Sequence, residues 1–182
     1  MDEQLEFLKL VVSRLESAGV PYMLTGSMAL AVYALPRMTR DLDLVVECDQ
    51  GDADRITKLF AADCYIDEDS VLTAIKDRTM FNIIHNEWII KADFIVRKGD
   101  EYHQTEFGRR RPYDIEGTAV YVTAPEDLIL SKLVWAKNSD SMLHVQDVQT
   151  IIISASNLDW SYLEKWAKQL EIGDMLDEVR PK

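Results

Sequence analysis

The stretch Asp41-Leu42-Asp43-Leu44-Val45-Val46-Glu47 constrains this chain more than any other. Its first four residues alternate strictly between acid and apolar side chain, the period of a β-strand. Residues two apart on a strand share a face, so both carboxylates project together while Leu42 and Leu44 face a core. Two carboxylates on one face repel each other and cost stability unless a cation sits between them. Magnesium takes oxygen ligands, keeps several waters, and is typically held by one or two carboxylates together with substrate phosphates. An Asp-x-Asp strand is therefore either half of a magnesium-nucleotide site or an exposed edge strand alternating acids with apolar residues.

The residues ahead of this strand supply a second element. Leu5, Leu8, Val12 and Leu15 have the spacing of one helix face within residues 2–18. Gly19 stops that helix, and Pro21 starts an extended stretch, Tyr22 to Thr25. Gly26-Ser27 then turns the chain into a second helix, Met28 to about Leu35, which Pro36 ends. Glycine lets a ligand come close to the backbone, and a serine at a helix start caps the helix or donates to a phosphate oxygen. The same pair also reads as a tight turn with a capped helix and nothing more.

Downstream, residues 52–62 read as a helix, and Phe81 to Ile84 and Trp88 to Val96 as two strands around a bend at Asn86. Asp93 interrupts the second, otherwise apolar strand, where an acid is costly without a partner. It either pairs with Lys91 on its own face or completes a metal site. A short strand at Ala119 to Val122 leads to Pro125, and Glu126-Asp127 opens a helix through Ala136. Helices follow at residues 141–154 and 159–179. The fold class is α/β (α+β): a mixed sheet flanked by helices in residues 1–123, then a helical extension, 124–182, packed on that core.

Bulk properties narrow the partners. A net charge of −12 on 182 residues repels polyphosphates over the molecule as a whole and argues against wide, sequence-independent nucleic-acid binding. Arg97, Lys98, Arg109, Arg110 and Arg111 form either a local basic surface or a loop that balances nearby acids. Cys48 and Cys64 are too few for a disulfide framework and lack metal-ligand spacing, which fits a reducing cytoplasm. The first residues carry no signal-peptide pattern, and no apolar run reaches the roughly 18 residues of a membrane span, so a cytoplasmic location is expected. His85, His103 and His144 are isolated and receive no role.

Leu24-Thr25-Gly26-Ser27 followed by Asp41-Leu42-Asp43-Leu44 resembles the signature of the polymerase-β-like nucleotidyltransferase superfamily. The spacer from Met28 to Arg40 lies at the long end of that family's range, and Asp93 stands where the family's third acid is expected. Thr39-Arg40-Asp41-Leu42-Asp43 and Thr123-Ala124-Pro125-Glu126-Asp127-Leu128, with Lys132 on the helix that follows, resemble small bacterial and archaeal members near the AbiEii-type toxins. One departure is Leu143-His144-Val145-Gln146-Asp147, poor in basic residues where those relatives carry a basic cluster before an aspartate; Asp147 then caps or pairs within the helical layer.

The resemblance implies a nucleotidyltransferase using Mg2+ (or Mn2+) and a nucleoside triphosphate, ATP among them, to move a nucleotide onto an acceptor hydroxyl. It makes Asp41 and Asp43 metal bridges and Asp93 the third ligand. Gly26 and Ser27 would grip the terminal phosphates. Lys132 would neutralise triphosphate charge unless it is an exposed helix lysine, and Arg40 would do likewise unless it forms a local ion pair. The implied acceptors are tRNA ends, side chains of partner proteins, and antibiotics. The alternative is a catalytically inactive member acting as a nucleotide-binding or toxin-antitoxin partner module. A third reading has the aspartates binding calcium or solvating a surface.

Overall fold

The structure, a computed structural model, describes residues 3–34, 39, 41–139 and 141–181. Among these, a seven-stranded mixed sheet and nine α-helices surround a hydrophobic cluster that includes residues from Phe7 to Val179. The chain enters through helix α1 (Glu3–Ser17), which buries Phe7, Leu8, Val11, Val12 and Leu15 on one face. Gly19, at φ +64°, takes the left-handed conformation that ends a helix most easily. Strand β1 (Tyr22–Thr25) leads directly into α2 (Gly26–Tyr33), and the chain returns as β2 (Leu42–Val46), antiparallel to β1.

Next come α3 (Ala53–Phe60), the short β3 (Cys64–Tyr65) and α4 (Glu68–Asp77), which precede the hairpin of β4 (Met80–His85) and β5 (Lys91–Val96). Helix α5 (Glu101–Gly108) and the hairpin of β6 (Arg111–Ile115) and β7 (Thr118–Val122) complete the sheet. The order across it is β3-β4-β5-β2-β1-β7-β6. β2 and β5 run parallel, as do β1 and β7, and β5, β2 and β1, all three expected from sequence, lie side by side at the centre. Helices α6 (Pro125–Ser139), α7 (Met142–Ser154), α8 (Trp160–Gln169) and α9 (Gly173–Val179) follow, and α6 packs against both α2 and α7.

Several boundaries differ from the sequence expectation. Trp88 to Ile90 form the bend of the hairpin instead of the start of β5, with Ile89 at φ +54° and its N–H bonded to the His85 carbonyl. The single helix expected over 159–179 is two, because Glu171 at φ +55° breaks the helical path between α8 and α9. β3, α4, α5 and β6 were not anticipated. No helix among the described residues is long and apolar enough to cross a membrane.

Candidate active site

Register brings the acids together. In the parallel pair of β2 and β5, Asp43 lies opposite Asp93, and in the antiparallel pair of β1 and β2, Thr25 lies opposite Asp43. Paired residues share a face of the sheet, and residues two apart along a strand share it too. Asp41, Asp43, Lys91 and Asp93 therefore occupy one patch, while Leu42, Leu44, Ala92 and Phe94 are buried on or near the opposite face. Burial, reinforced by the charges of Asp93 and Asp41, pushes the Asp43 carboxyl up to about 6, against the pull of Lys132 and Lys91.

Lys91 is the counter-charge present. Its ammonium lies 2.8 Å from Asp93 Oδ2 and 3.5 Å from Asp41 Oδ2. Hydrogen bonding to Asp93, aided by both carboxylate charges, raises the Lys91 amine above its ordinary value. Of the two alternatives posed by the sequence, the pairing of Asp93 with Lys91 is the one present, and it occurs in register with Asp43. Asp93 Oδ1 remains buried with no hydrogen-bond partner. Among the described residues, no group of three or more His, Cys, Asp or Glu side chains is disposed to hold a metal ion, so the acids stand in the arrangement of an ammonium-neutralised cluster.

Gly26 closes against this patch. At φ +65° it bends the chain from β1 into α2, and a β-carbon there would fall 2.0 Å from Asp43 Oδ2 and 2.7 Å from its carboxyl carbon. Glycine is thus required twice, by backbone conformation and by contact with the carboxylate. Thr25, the residue before α2, makes no side-chain cap, and Ser27 is buried in the first turn. The N-terminal end of α2 accordingly faces the same cleft as Asp43, with the positive potential that helix starts carry.

Lys132 is not an exposed helix lysine. It is 4% exposed, donates to Asp147 Oδ2 at 2.7 Å, and lines the cleft that contains Gly26, Ser27 and Asp43. Asp147, on α7, pairs within the helical layer. Lys132→Met is expected to cost about 3–5 kcal/mol, because breaking a buried pair leaves a charge poorly compensated. Urea denaturation checks this; Lys132→Met combined with Asp147→Leu should recover most of the loss, since both charges then leave together. Arg40 lies outside the described residues.

The cleft has a volume of about 400 Å³. One wall is Thr25, Gly26, Ser27 and Asp43; the facing walls come from α5 (Tyr102, His103, Glu106) and α6 (Leu128, Ser131, Lys132, Trp135). Glu106, which the sequence reading passed over, is 5% exposed, and burial followed by the charges of Asp127 and Asp100 pushes its carboxyl up to about 8. The neighbouring Tyr102 hydroxyl is buried without a hydrogen-bond partner. The available signal was positional: Asp100 caps α5, and Tyr102 and Glu106 fall four apart on its buried side.

The basic segment is largely consumed inside the fold. Arg109 bonds Asp127 at 2.8 Å through Nε and Glu126 at 2.7 Å through Nη2, and lies 3.9 Å over the Tyr162 ring. Arg110 donates to the Phe107 carbonyl and stacks 4.1 Å above the Phe107 ring, and Arg97 pairs with Glu47. The acids that open α6 are thus held by an arginine from the segment expected to form a basic surface. Of the two readings of this segment, the balancing of nearby acids is the one that Arg97 and Arg109 follow, with Arg109 joining α5 to α6 and α8.

Solved structures similar to this one in fold include nucleotidyltransferases and a nucleotidyltransferase-like protein. A nucleotidyltransferase-like antigenic protein from Paracoccidioides brasiliensis superposes with a TM-score of 0.59 at 15% identity, over 98% of this chain and 92% of that one. ANT(2")-Ia in complex with adenylyl-2"-tobramycin gives 0.61 at 14% identity, over 93% and 97%. The lincosamide antibiotic adenylyltransferase LnuA, bound to lincomycin, gives 0.55 at 10% identity, over 83% and 96%. No protein-family model and no curated protein matches the sequence. The likeness establishes the fold, a mixed α/β sheet flanked by helices, as that of the nucleotidyltransferases.

Proposed function

We propose that this nucleotidyltransferase-fold chain is a magnesium-dependent enzyme that moves a nucleoside monophosphate from a nucleoside triphosphate onto an acceptor hydroxyl. The observation that carries the reading is the convergence of Asp41, Asp43 and Asp93 on one sheet face, with Gly26 packed against Asp43. The donor chemistry, though not the present arrangement, suits a divalent cation: three carboxylates on one sheet face, one with an unpartnered buried oxygen, would take an ion in place of the Lys91 ammonium that now lies on Asp41 and Asp93. Asp41, Asp43 and Asp93 would hold magnesium or manganese. Such an ion, when bound, neutralises triphosphate charge and polarises the reacting phosphorus.

The remaining chemistry falls to the chain itself. Gly26 permits close approach of a phosphate to the backbone, and Ser27 and the α2 N-terminus favour its negative charge. Lys132 adds positive potential from the facing wall. The acceptor oxygen bonds to the α-phosphorus, the bond from that phosphorus to the pyrophosphate oxygen breaks, and Asp93 takes the hydroxyl proton. Two neighbours by fold carry antibiotics in their names, which makes small hydroxylated molecules an acceptor class beside tRNA and protein side chains. The likeness to AbiEii-type proteins rests on the segments around Thr39 and Pro125 alone.

A second reading follows from Lys91, whose ammonium already neutralises Asp41 and Asp93. It makes the chain a nucleotide-binding partner module, without transfer. Incubation with each α-labelled triphosphate, Mg2+ or Mn2+ and cell extract separates the two. Label recovered in RNA, protein or small molecules, and lost in Asp93→Asn, supports transfer; metal-dependent binding with no label in any fraction supports the module.

A further inference from the structure

The sheet face that carries the acids continues beyond them and is left bare. In the hairpin, Asn82 lies opposite Asp93, Met80 opposite Ile95 and Ile84 opposite Lys91, and Tyr65 of β3 lies opposite Ile84. Opposed residues share a face, so Tyr65, Met80, Asn82 and Ile84 extend the patch of Asp41, Asp43 and Asp93 to the edge of the sheet. The alternate residues Phe81, Ile83 and His85 turn to the core and are buried. The two halves of this face differ in cover. On the inner half, Met23 and Val45 are buried against Phe107 of α5. On the outer half, Tyr65 is 61% and Met80 53% exposed, Asn82 is exposed, and Ile84 is half-buried.

Shape and charge say what such a face can take. Tyr65, Met80, Asn82 and Ile84 lie outside the cleft lined by Gly26, Ser27 and Asp43. Small molecules are bound in concave sites that enclose most of their surface. Protein interfaces are enriched in aromatic residues and methionine, with charge depleted at their centre. The outer face has that composition in a chain with 29% charged residues. Within β3, β4 and β5 the one lysine or arginine is Lys91, held by Asp93 and Asp41. Arg78 and Arg97, which flank these strands in sequence, are engaged by the Arg97 carbonyl and by Glu47. The connections between the strands carry exposed acids, Asp67, Glu68, Asp69 and Glu87. RNA needs cations for its phosphates and meets acids here. A second copy of this chain, with net charge −12, would set the same acidic rim against its own. A protein with an apolar centre and a basic rim meets neither obstacle.

We propose that the acceptor is a protein, which docks on the outer face of β3, β4 and β5 and presents a serine, threonine or tyrosine hydroxyl to Asp93. This rests on the reading of the acids as a transferase site and selects one of its three acceptor classes. Asn82, beside Asp93, lies where that hydroxyl arrives, and its amide offers both donors and an acceptor. The side-chain oxygen bonds to the α-phosphorus, and the bond from that phosphorus to pyrophosphate breaks. The departing oxygen keeps the electron pair, and the hydroxyl proton passes to Asp93. The products are pyrophosphate and a protein carrying a nucleoside monophosphate in phosphodiester linkage. Tyr65 and Met80 contact the partner and take no part in the chemistry.

The probe is a synthetic peptide with one serine, threonine or tyrosine between leucines and with lysines at both ends. With Mg2+ and α-labelled triphosphates, wild-type protein should label it and add one nucleoside monophosphate to its mass. The fluorescein-tagged peptide should also bind, by anisotropy, in the presence of a non-hydrolysable Mg-nucleotide. Tyr65→Ser with Met80→Ser alters exposed side chains, so melting temperature and Mg-nucleotide affinity should stay as in wild type. Peptide affinity should fall at least ~10-fold, the loss expected when central interface anchors are truncated. Labelling by this variant should fall through a raised KM with kcat retained. A peptide with glycines in place of the leucines should bind wild type just as weakly, which separates apolar docking from attraction of lysines to an acidic chain. Transfer to tRNA, tobramycin or lincomycin in place of the peptide overturns the proposal, as does peptide affinity indifferent to the double variant. Absence of peptide binding, with Mg-nucleotide still bound, overturns it too and leaves the transferase reading standing. Mg-nucleotide binding unaffected by Asp41→Ala with Asp43→Ala instead removes the reading beneath it.

Discussion

Replacing Asp41 and Asp43 together by alanine is expected to weaken Mg-nucleotide binding by more than ~100-fold, the loss anticipated when ligands of a metal site are removed outright. The two side chains lie on one face of β2, and Asp43 touches Gly26 on one side and faces Asp93 on the other. Removing both leaves Asp93 alone with Lys91, a pair that carries no net charge to attract a cation. Stability should change by no more than about 1 kcal/mol, because Asp41 is half exposed and Asp43 sits among like charges that oppose its ionisation. Calorimetry reads the first effect and urea denaturation the second. Undiminished nucleotide affinity in a folded double variant would refute the site.

Gly26→Ala should give the largest effect on both stability and binding from a single methyl group. The added carbon meets Asp43 Oδ2 at 2.0 Å, far inside contact distance, and the residue sits at φ +65°. The left-handed conformation costs roughly 1–2 kcal/mol for a residue with a side chain. Forcing a methyl into a packed site adds about 1–3 kcal/mol. A total near 3 kcal/mol is expected, with the Asp43 carboxyl displaced from the patch. The variant Gly26→Ala with Asp43→Ala removes the clashing carboxylate and should recover the packing share but not the backbone share. Equal destabilisation in both backgrounds would show that conformation alone requires the glycine.

The centre of this fold was legible because it is local. Strand β1, the turn at Gly26, helix α2 and the alternating β2 each carry their own period and punctuation within a few residues. Asp93 was found as an acid out of place in an apolar strand. The missed helices α4 and α5 carry capping aspartates, Asp67 and Asp100, but little apolar periodicity, and the missed strands carry less. β3 has two residues, and β6 is an edge strand with Pro112 and little apolar alternation. α4 buries only Val71, Ala74 and Ile75. The break before α9 falls at Glu171, a residue type that does not announce a left-handed turn.

Charges were the least legible part of the site. Which of five basic residues reaches a ligand depends on partners far along the chain. Arg109 meets Glu126, Asp127 and Tyr162, and Lys132 meets Asp147, in contacts that no spacing rule predicts. Glu106 was hidden for the same reason, since its character comes from burial and from the acids of other segments.

The decisive measurement is an anomalous-scattering map from crystals grown with Mn2+ and a non-hydrolysable triphosphate. A manganese peak within bonding distance of Asp41 and Asp43, with Lys91 swung away from Asp93, is the predicted result. Nucleotide density elsewhere, or a triphosphate seated beside Gly26 with no ion among the three carboxylates and Lys91 still bridging them, would contradict the account.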